Sequence, residues 1–312
     1  MTDQNTAALP WFYFGAVCAT WGSSFLFMKL ALQSFDVFQV AFGRNFLGAV
    51  SLAVVLLLIR RRPNTGLLQL GHTAVVAVFF NVVPALLYAW AETGISSGLA
   101  SIYNATTPVM TLLVTVAAFR TQRPHVFQVA GIGVGMLGVL IIALPEVGTG
   151  APLLMHLACL GSTACYGVGY VYLRHFLAGK NAEPVSQTAL QLGIASVLLL
   201  PTLAFSTTPN LTHSAPALLG IGLLGAVGTG LCYVWNNRLI GLWGAARASM
   251  TTYVTPAVGV LLGVVLLGEQ LKWNLFVGLI VVLLSILLSN RAPRQIRRNK
   301  RSTAKDNVLI NS

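Results

Sequence analysis

Between Arg62 and Glu92 lie 29 residues, between Glu92 and Arg120 another 27, and between Glu183 and Arg238 a further 54, with no Asp, Glu, Lys or Arg among them. A helix needs roughly 20 apolar residues to cross a hydrocarbon layer about 30 Å thick, so these stretches hold one, one and two crossings. The whole 312-residue chain agrees: 56% is hydrophobic and 8% charged, with a mean hydropathy of +0.77, against about 25% charged in a soluble domain. Such a chain cannot hide its apolar surface from water and must be solvated mainly by lipid. Only Asp3 is charged before the first apolar run, and further runs follow, so no cleaved leader is expected. Cys18, Cys159, Cys165 and Cys232 all fall in apolar runs without metal-ligand spacing. They are expected to pack as small hydrophobes, with no disulfide framework and no bound metal.

The apolar runs and their breaks predict about ten helices, over roughly 11–32, 36–59, 68–92, 96–118, 126–144, 152–173, 184–205, 215–237, 244–267 and 272–290. Arg60-Arg61-Arg62-Pro63-Asn64 ends the second, the segment from Arg120 to Pro124 the fourth, and that from Pro145 to Pro152 the fifth. Thr207-Thr208-Pro209-Asn210 divides the 54-residue stretch. The fold class is therefore all-α integral membrane.

Short loops rich in Lys and Arg stay cytoplasmic. With the N-terminus inside, 15 of the 19 basic residues fall in inner loops or in the tail after Arg291, and Lys272 alone falls in an outer loop. Both termini are thus expected in the cytoplasm, in the inner (plasma) membrane. The net charge of +12 is largely positional. The basic tail, 291–312, is expected to touch anionic lipid and not nucleic acid.

The second half of the chain echoes the first. Tyr88-Ala89-Trp90 is answered by Tyr233-Val234-Trp235, Thr106-Thr107-Pro108 by Val254-Thr255-Pro256, and the segment from Phe119 to Gln122 by Leu267-Gly268-Glu269-Gln270. Five spans are an odd number, so the second copy enters the membrane from the opposite face. The expected plan is ten transmembrane helices as two inverted five-helix repeats, 11–145 and 151–290, between a short cytoplasmic segment 1–10 and the tail. Inverted repeats of this kind build alternating-access carriers with a site near the midplane.

Counting inward places Trp21-Gly22-Ser23-Ser24, the segment from Ser162 to Tyr166, Pro108 and Pro256 near that midplane. A proline inside a helix removes one N–H and collides with a carbonyl four residues back, which would free the carbonyls of Asn104 and Thr252. Irregular backbone at this depth is tolerated where it faces protein or a watery cavity. Pro108 and Pro256 are therefore candidate hinges of cavity-lining helices, or else packing kinks.

These residues resemble the EamA-type branch of the drug/metabolite transporter superfamily. The resemblance is carried by Trp21-Gly22-Ser23-Ser24 with Lys29, by Arg44, by Ser97 and Ala100-Ser101 running into Pro108, by Gly131, Gly135 and Gly138, and by Leu267-Gly268-Glu269. It extends over roughly residues 11–290. It implies a secondary carrier of ten helices in two inverted repeats, some members being similar to amino-acid or metabolite exporters. The chain departs from the family pattern at Thr121, where a glutamate is common. Arg44 is answered in the second half by Gln191, and Trp21 by Tyr166.

The expected cavity is rich in rings and hydroxyls: Trp21, Ser24, Tyr88, Tyr103, Asn104, Tyr166, Tyr233, Asn236, Thr251 and Thr252. Arg44, about 12 Å inward from a helix end, could bind a substrate carboxylate, pair with Glu92 or snorkel outward. Trp11, Trp243 and Trp273 are expected at the membrane interface. No Asp or Glu lies near the centre of a span, so a buried carboxylate relay has no obvious carrier, and neutral or zwitterionic solutes are favoured over aromatic cations. Of the histidines His156 lies deepest, expected as a satisfied structural residue. Gly94-Ile95-Ser96-Ser97-Gly98 matches the G-x-S-x-G pattern but lacks the strand-turn-helix setting it needs. No phosphate-binding or dinucleotide fingerprint is present, so neither an enzyme nor a cofactor is indicated. The glycine stripe suits either a homodimer contact or internal packing. The expected function is export of a small neutral or zwitterionic solute such as an amino acid. The alternatives are a polytopic sensor and multidrug efflux.

Overall fold

A computed structural model describes residues 3–60, 67–118, 126–143, 152–177, 183–207, 214–243, 248, 250–270 and 272–290. The basic tail 291–312, Arg61, Arg62, Arg120, Thr121, Arg123, Glu146 and Arg247 lie outside the described residues. The described residues are all-helical, with no strand.

Helix α1 is Asp3–Ala31 and α2 is Val37–Leu58. Helix α3 runs as Leu67–Ala77, a π-helical stretch Val78–Val82 and Val83–Ala91. Helix α4 is broken into Ser97–Asn104 and Thr107–Ala118. Val126–Ala143 forms α5, Leu153–Phe176 forms α6, and Pro184–Leu199 forms α7, which tightens into a 3₁₀ turn over Leu200–Phe205. Helix α8 joins Ala215–Gly222, a second π stretch Leu223–Leu231 and Cys232–Trp243. Thr251–Leu267 is α9 and Trp273–Asn290 is α10. Seven of these helices are long and apolar enough to cross a membrane, and the described parts of α5, α9 and α10 are shorter apolar helices.

Local chemistry sets the ends. Asp36 caps α2 in a capping box, its carboxylate accepting from the Gln39 N–H (2.9 Å) while the Gln39 side chain accepts from the Asp36 N–H (3.1 Å). Gly268 ends α9 at φ 65°, left-handed backbone that a residue without Cβ adopts at least cost. Pro108 does not kink a continuous helix as the sequence suggests. The chain turns at Ala105 and Thr106, and Pro108 sits in the first turn of the restarted piece, where a missing N–H costs nothing. The Asn104 carbonyl is not left free either, since Thr107 Oγ1 donates to it at 2.7 Å.

The outside of the bundle is apolar, as lipid requires. Leu57, Leu58, Val197, Phe205 and Trp273 are each exposed by more than two thirds, and so many bare large hydrophobics would be untenable in water. Inside, α1 packs on α8 and α9, α2 on α7 and α8, α3 and α4 on α6, and α5 on α10. Exchanging the first five helices for the second five maps this pattern onto itself: α1 with α9 becomes α6 with α4, α1 with α8 becomes α6 with α3, and α2–α7 and α5–α10 are unchanged. The two π stretches occupy corresponding helices, α3 and α8.

Candidate solute cavity

A cavity of about 480 Å³ lies where α1, α2, α3, α4, α6, α8 and α9 converge. Its walls are largely rings. Trp21 meets Tyr233 edge to face with centroids 6.0 Å apart, Tyr88 lies nearly parallel to Tyr166 at 6.3 Å, and Phe80 links Tyr166 (5.8 Å) to Tyr170 (4.7 Å). Phe25 and Met28 continue the apolar wall past Tyr88. Polar groups are few: Ser24, Asn81, Asn104, Thr107, Thr111, Thr229 and Thr255. Arg44 is the one charged side chain among the described lining residues, and no carboxylate joins it there. A guanidinium in such surroundings offers forked donors to a planar anion.

Of the residues singled out from sequence, Trp21, Ser24, Arg44, Tyr88, Asn104, Tyr166 and Tyr233 line this cavity, as does Pro108. Others stand elsewhere. Tyr103 is fully buried, its hydroxyl hydrogen-bonded to Nδ1 of His156 at 2.9 Å, so the two serve packing between α4 and α6. Thr251 is buried and donates to the Ala248 carbonyl at 2.9 Å. Asn236 is absent from the cavity wall, and the Thr252 side chain lies outside the described residues. Pro256 is buried behind the wall, its carbonyl facing Ser101 Oγ at 3.4 Å.

Phe25, Met28, Thr107, Thr111, Tyr170 and Thr255, outside the π stretches, also line the cavity without being singled out by the sequence, and four further lining residues share one origin. Phe80 and Asn81 belong to the π stretch of α3, and Gly228 and Thr229 to that of α8. A π turn rotates its side chains away from their α-helical heading, and nothing in composition signals it. Gln191, the counterpart of Arg44, donates to Asn81 at 2.5 Å and so fixes that amide at the cavity edge.

One end of the cavity is clamped. Lys29 Nζ donates to the carbonyls of Glu92 (2.5 Å) and Ile95 (2.8 Å), pinning α1 to the turn between α3 and α4. Glu269, placed by the Gly268 cap, accepts from the Ser97 N–H (2.6 Å) and the Gly98 N–H (3.0 Å) at the start of α4, where a carboxylate complements the helix dipole. At this end Ser34 Oγ also lies 3.2 Å from Ser214 Oγ. Asp36 reaches across as well, accepting from the hydroxyl of Ser206 and from the Thr207 N–H (3.1 Å). Burial pushes the Asp36 carboxyl up, but these bonds and those from the start of α2 outweigh it and hold it below the usual carboxylate range. The opposite end is joined by Gln187 to Gln69 (3.3 Å) and Thr73 (2.9 Å), by His72 to Tyr172 (2.8 Å), and by Trp11 against Trp243 (4.7 Å).

The sequence profile of the EamA-like transporter family matches residues 9–144 and again 153–291. An uncharacterized inner membrane transporter of Escherichia coli strain K12, YedA, is 26% identical, the alignment covering 88% of this chain and 89% of YedA. A probable terminal-alkyne amino-acid exporter of Streptantibioticus cattleyicolor is also 26% identical, over 89% of this chain and 92% of that protein. A solved crystal structure of a protein shares the fold at a TM-score of 0.61 and 16% identity, covering 91% of this chain and 98% of the other.

Proposed function

Because the chain belongs to the EamA-like transporter family, a family of multi-span membrane transporters and not of enzymes, we propose that it is a secondary carrier exporting a small neutral or zwitterionic organic solute such as an amino acid. The observation that carries this reading is the cavity itself. It is walled by helices from both halves of the chain, it has room for a solute of amino-acid size, and the lone charge among its described lining residues is a guanidinium suited to a carboxylate. The same charge disfavours aromatic cations, although the rings would suit them. The name of the Streptantibioticus relative points to the same substrate class.

In this reading the seven long and three shorter apolar helices make ten crossings, as two inverted five-helix repeats over 11–145 and 151–290. The contact pattern that survives exchange of the halves and the twofold match of the family profile support it. Both termini face the cytoplasm of an inner-membrane protein, and the tail 291–312 rests on anionic lipid. Alternating access arises from rocking of the halves about the cavity, Pro108 and Pro256 lying on the helices that flex.

The test is leucine, a zwitterion with an apolar side chain, measured with purified protein. A ligand that binds only the folded state stabilises it by RT ln(1 + L/Kd), with L its free concentration, and so raises the melting temperature as that concentration rises. Leucine or a related amino acid should do so and should exchange across proteoliposome membranes. A protein inert in both assays across a panel of amino acids overturns the reading.

A further inference from the structure

Glu92 is fully buried, and neither of its carboxylate oxygens has a hydrogen-bond partner among the described residues. Tyr88 Oη, one helical turn earlier, and Ser97 Oγ, at the start of α4, are equally buried and equally unpartnered. Buried polar atoms are almost always bonded, and those that are not ask for an explanation in function or in bound water. An ionised carboxylate rests in such a place only with a countercharge beside it, whereas a protonated one needs none.

The surrounding charges have fixed duties. Lys29 of α1 directs its ammonium at the Glu92 and Ile95 carbonyls and not at the carboxylate. Glu269, ahead of α10, has both oxygens on backbone N–H groups of α4. Lys29 and Arg44 of α2 favour the charged form of Glu92, while Glu269 opposes it. Cys159 of α6 and Tyr88 also face it as titratable groups. Glu92 thus sits between the clamp that Lys29 closes and the Tyr88 wall of the cavity, so its charge bears on both.

Resting on the carrier reading above, we propose that Glu92 is the proton-binding site through which solute movement is exchanged against protons. With the clamp open, water reaches the carboxylate, which takes up a proton as an O–H bond forms. The clamp then closes over the neutral acid, which is the arrangement seen here. A zwitterion entering the cavity places its carboxylate at Arg44 and its ammonium toward Tyr88. That positive charge stabilises ionised Glu92, the O–H bond breaks, and the proton leaves to water through the cavity. Proton and solute therefore occupy alternate states, and nothing but a proton is exchanged.

Proteoliposomes at zero membrane potential, acid inside, test this with labelled leucine. Wild type and Glu92→Asp should accumulate leucine about tenfold per unit of pH gradient, the ratio of proton activities across one unit. Glu92→Gln should show no accumulation above the gradient-free level, and its leucine-for-leucine exchange should lose its dependence on pH. Independently of any solute, infrared difference spectra of the wild type between about pH 5 and about pH 9 should show a carboxylic-acid carbonyl band absent from Glu92→Gln. Wild-type exchange without gradient-driven accumulation, undiminished accumulation by Glu92→Gln, or the same infrared band in both proteins overturns the proton site and leaves the carrier reading standing. A wild type that shows the band but moves no amino acid sinks the carrier reading instead, and the coupling with it.

Discussion

Two charged residues illustrate how much depends on a single side chain. Arg44 is the lone charge among the described residues of the cavity wall, and a charge-assisted hydrogen bond contributes about 1.5–3 kcal/mol. Arg44→Ala should therefore weaken leucine binding roughly 10- to 100-fold. Arg44→Lys should recover part of this, since an ammonium keeps the charge and loses the fork. Calorimetric titration of the purified variants reads both, and unchanged affinity in Arg44→Ala removes this residue from the site. Asp36 acts on stability. Its folded pKa is depressed, so its contribution is complete above the unfolded value of about 3.9 and is lost as pH falls through the lower folded value. Asp36→Ala should cost about 0.5–2 kcal/mol at neutral pH, the usual worth of a helix cap. Its melting temperature should also fall less steeply on acidification than that of the wild type. Parallel acid limbs in the two proteins would show that the bonds from Ser206 and Thr207 contribute nothing.

At the scale of elements, the glycine stripe of α5 is an internal contact. A Cβ added at Gly138 would lie 2.8 Å from Val282 Cγ2 and 3.1 Å from the Val282 N of α10, whereas one at Gly133 would meet nothing within 4 Å. Gly138→Leu should accordingly destabilise by about 1–3 kcal/mol through overpacking, and Gly133→Leu should be tolerated. Melting curves in detergent distinguish them, and equal losses would mean that Gly133 packs against something outside this chain. The helices themselves were legible in the sequence because lipid leaves the backbone few alternatives, and uncharged runs near Glu92 and Glu183 mark them directly. Trp21, Arg44 and Tyr166 could be placed on the cavity by depth alone. Depth does not give rotation about the helix axis, so at suitable depth Tyr103 faces His156 of α6, and Thr251 bonds back to the Ala248 carbonyl. Asn81 and Thr229 are not legible in the sequence, because π stretches break the α-helical period on which such counting relies. Glu92 looked like an end-of-helix residue, and the sequence could not show that Lys29 and the α4 turn close over it.

For the whole molecule the question is whether the clamped end opens. Ser34, in the turn after α1, and Ser214, the cap of α8, belong to different halves of the chain, and their hydroxyls lie 3.2 Å apart. Neither is covered by the cavity wall, so replacing both with cysteine introduces a cross-link without touching the proposed binding residues. The native cysteines Cys18, Cys159 and Cys232 are buried and Cys165 is partly so, and a background lacking all four keeps the new pair unambiguous. If the halves rock apart at this end, oxidation of Ser34→Cys/Ser214→Cys should stop leucine exchange in proteoliposomes, and a reductant should restore it. Leucine binding measured in detergent should survive the cross-link, because the clamped arrangement already contains the cavity. Loss of exchange with retained binding separates a blocked conformational step from a damaged site. Exchange that continues with the bond intact would mean that α1 and α8 never part here, and that solute passes between the two faces by some movement other than rocking of the halves.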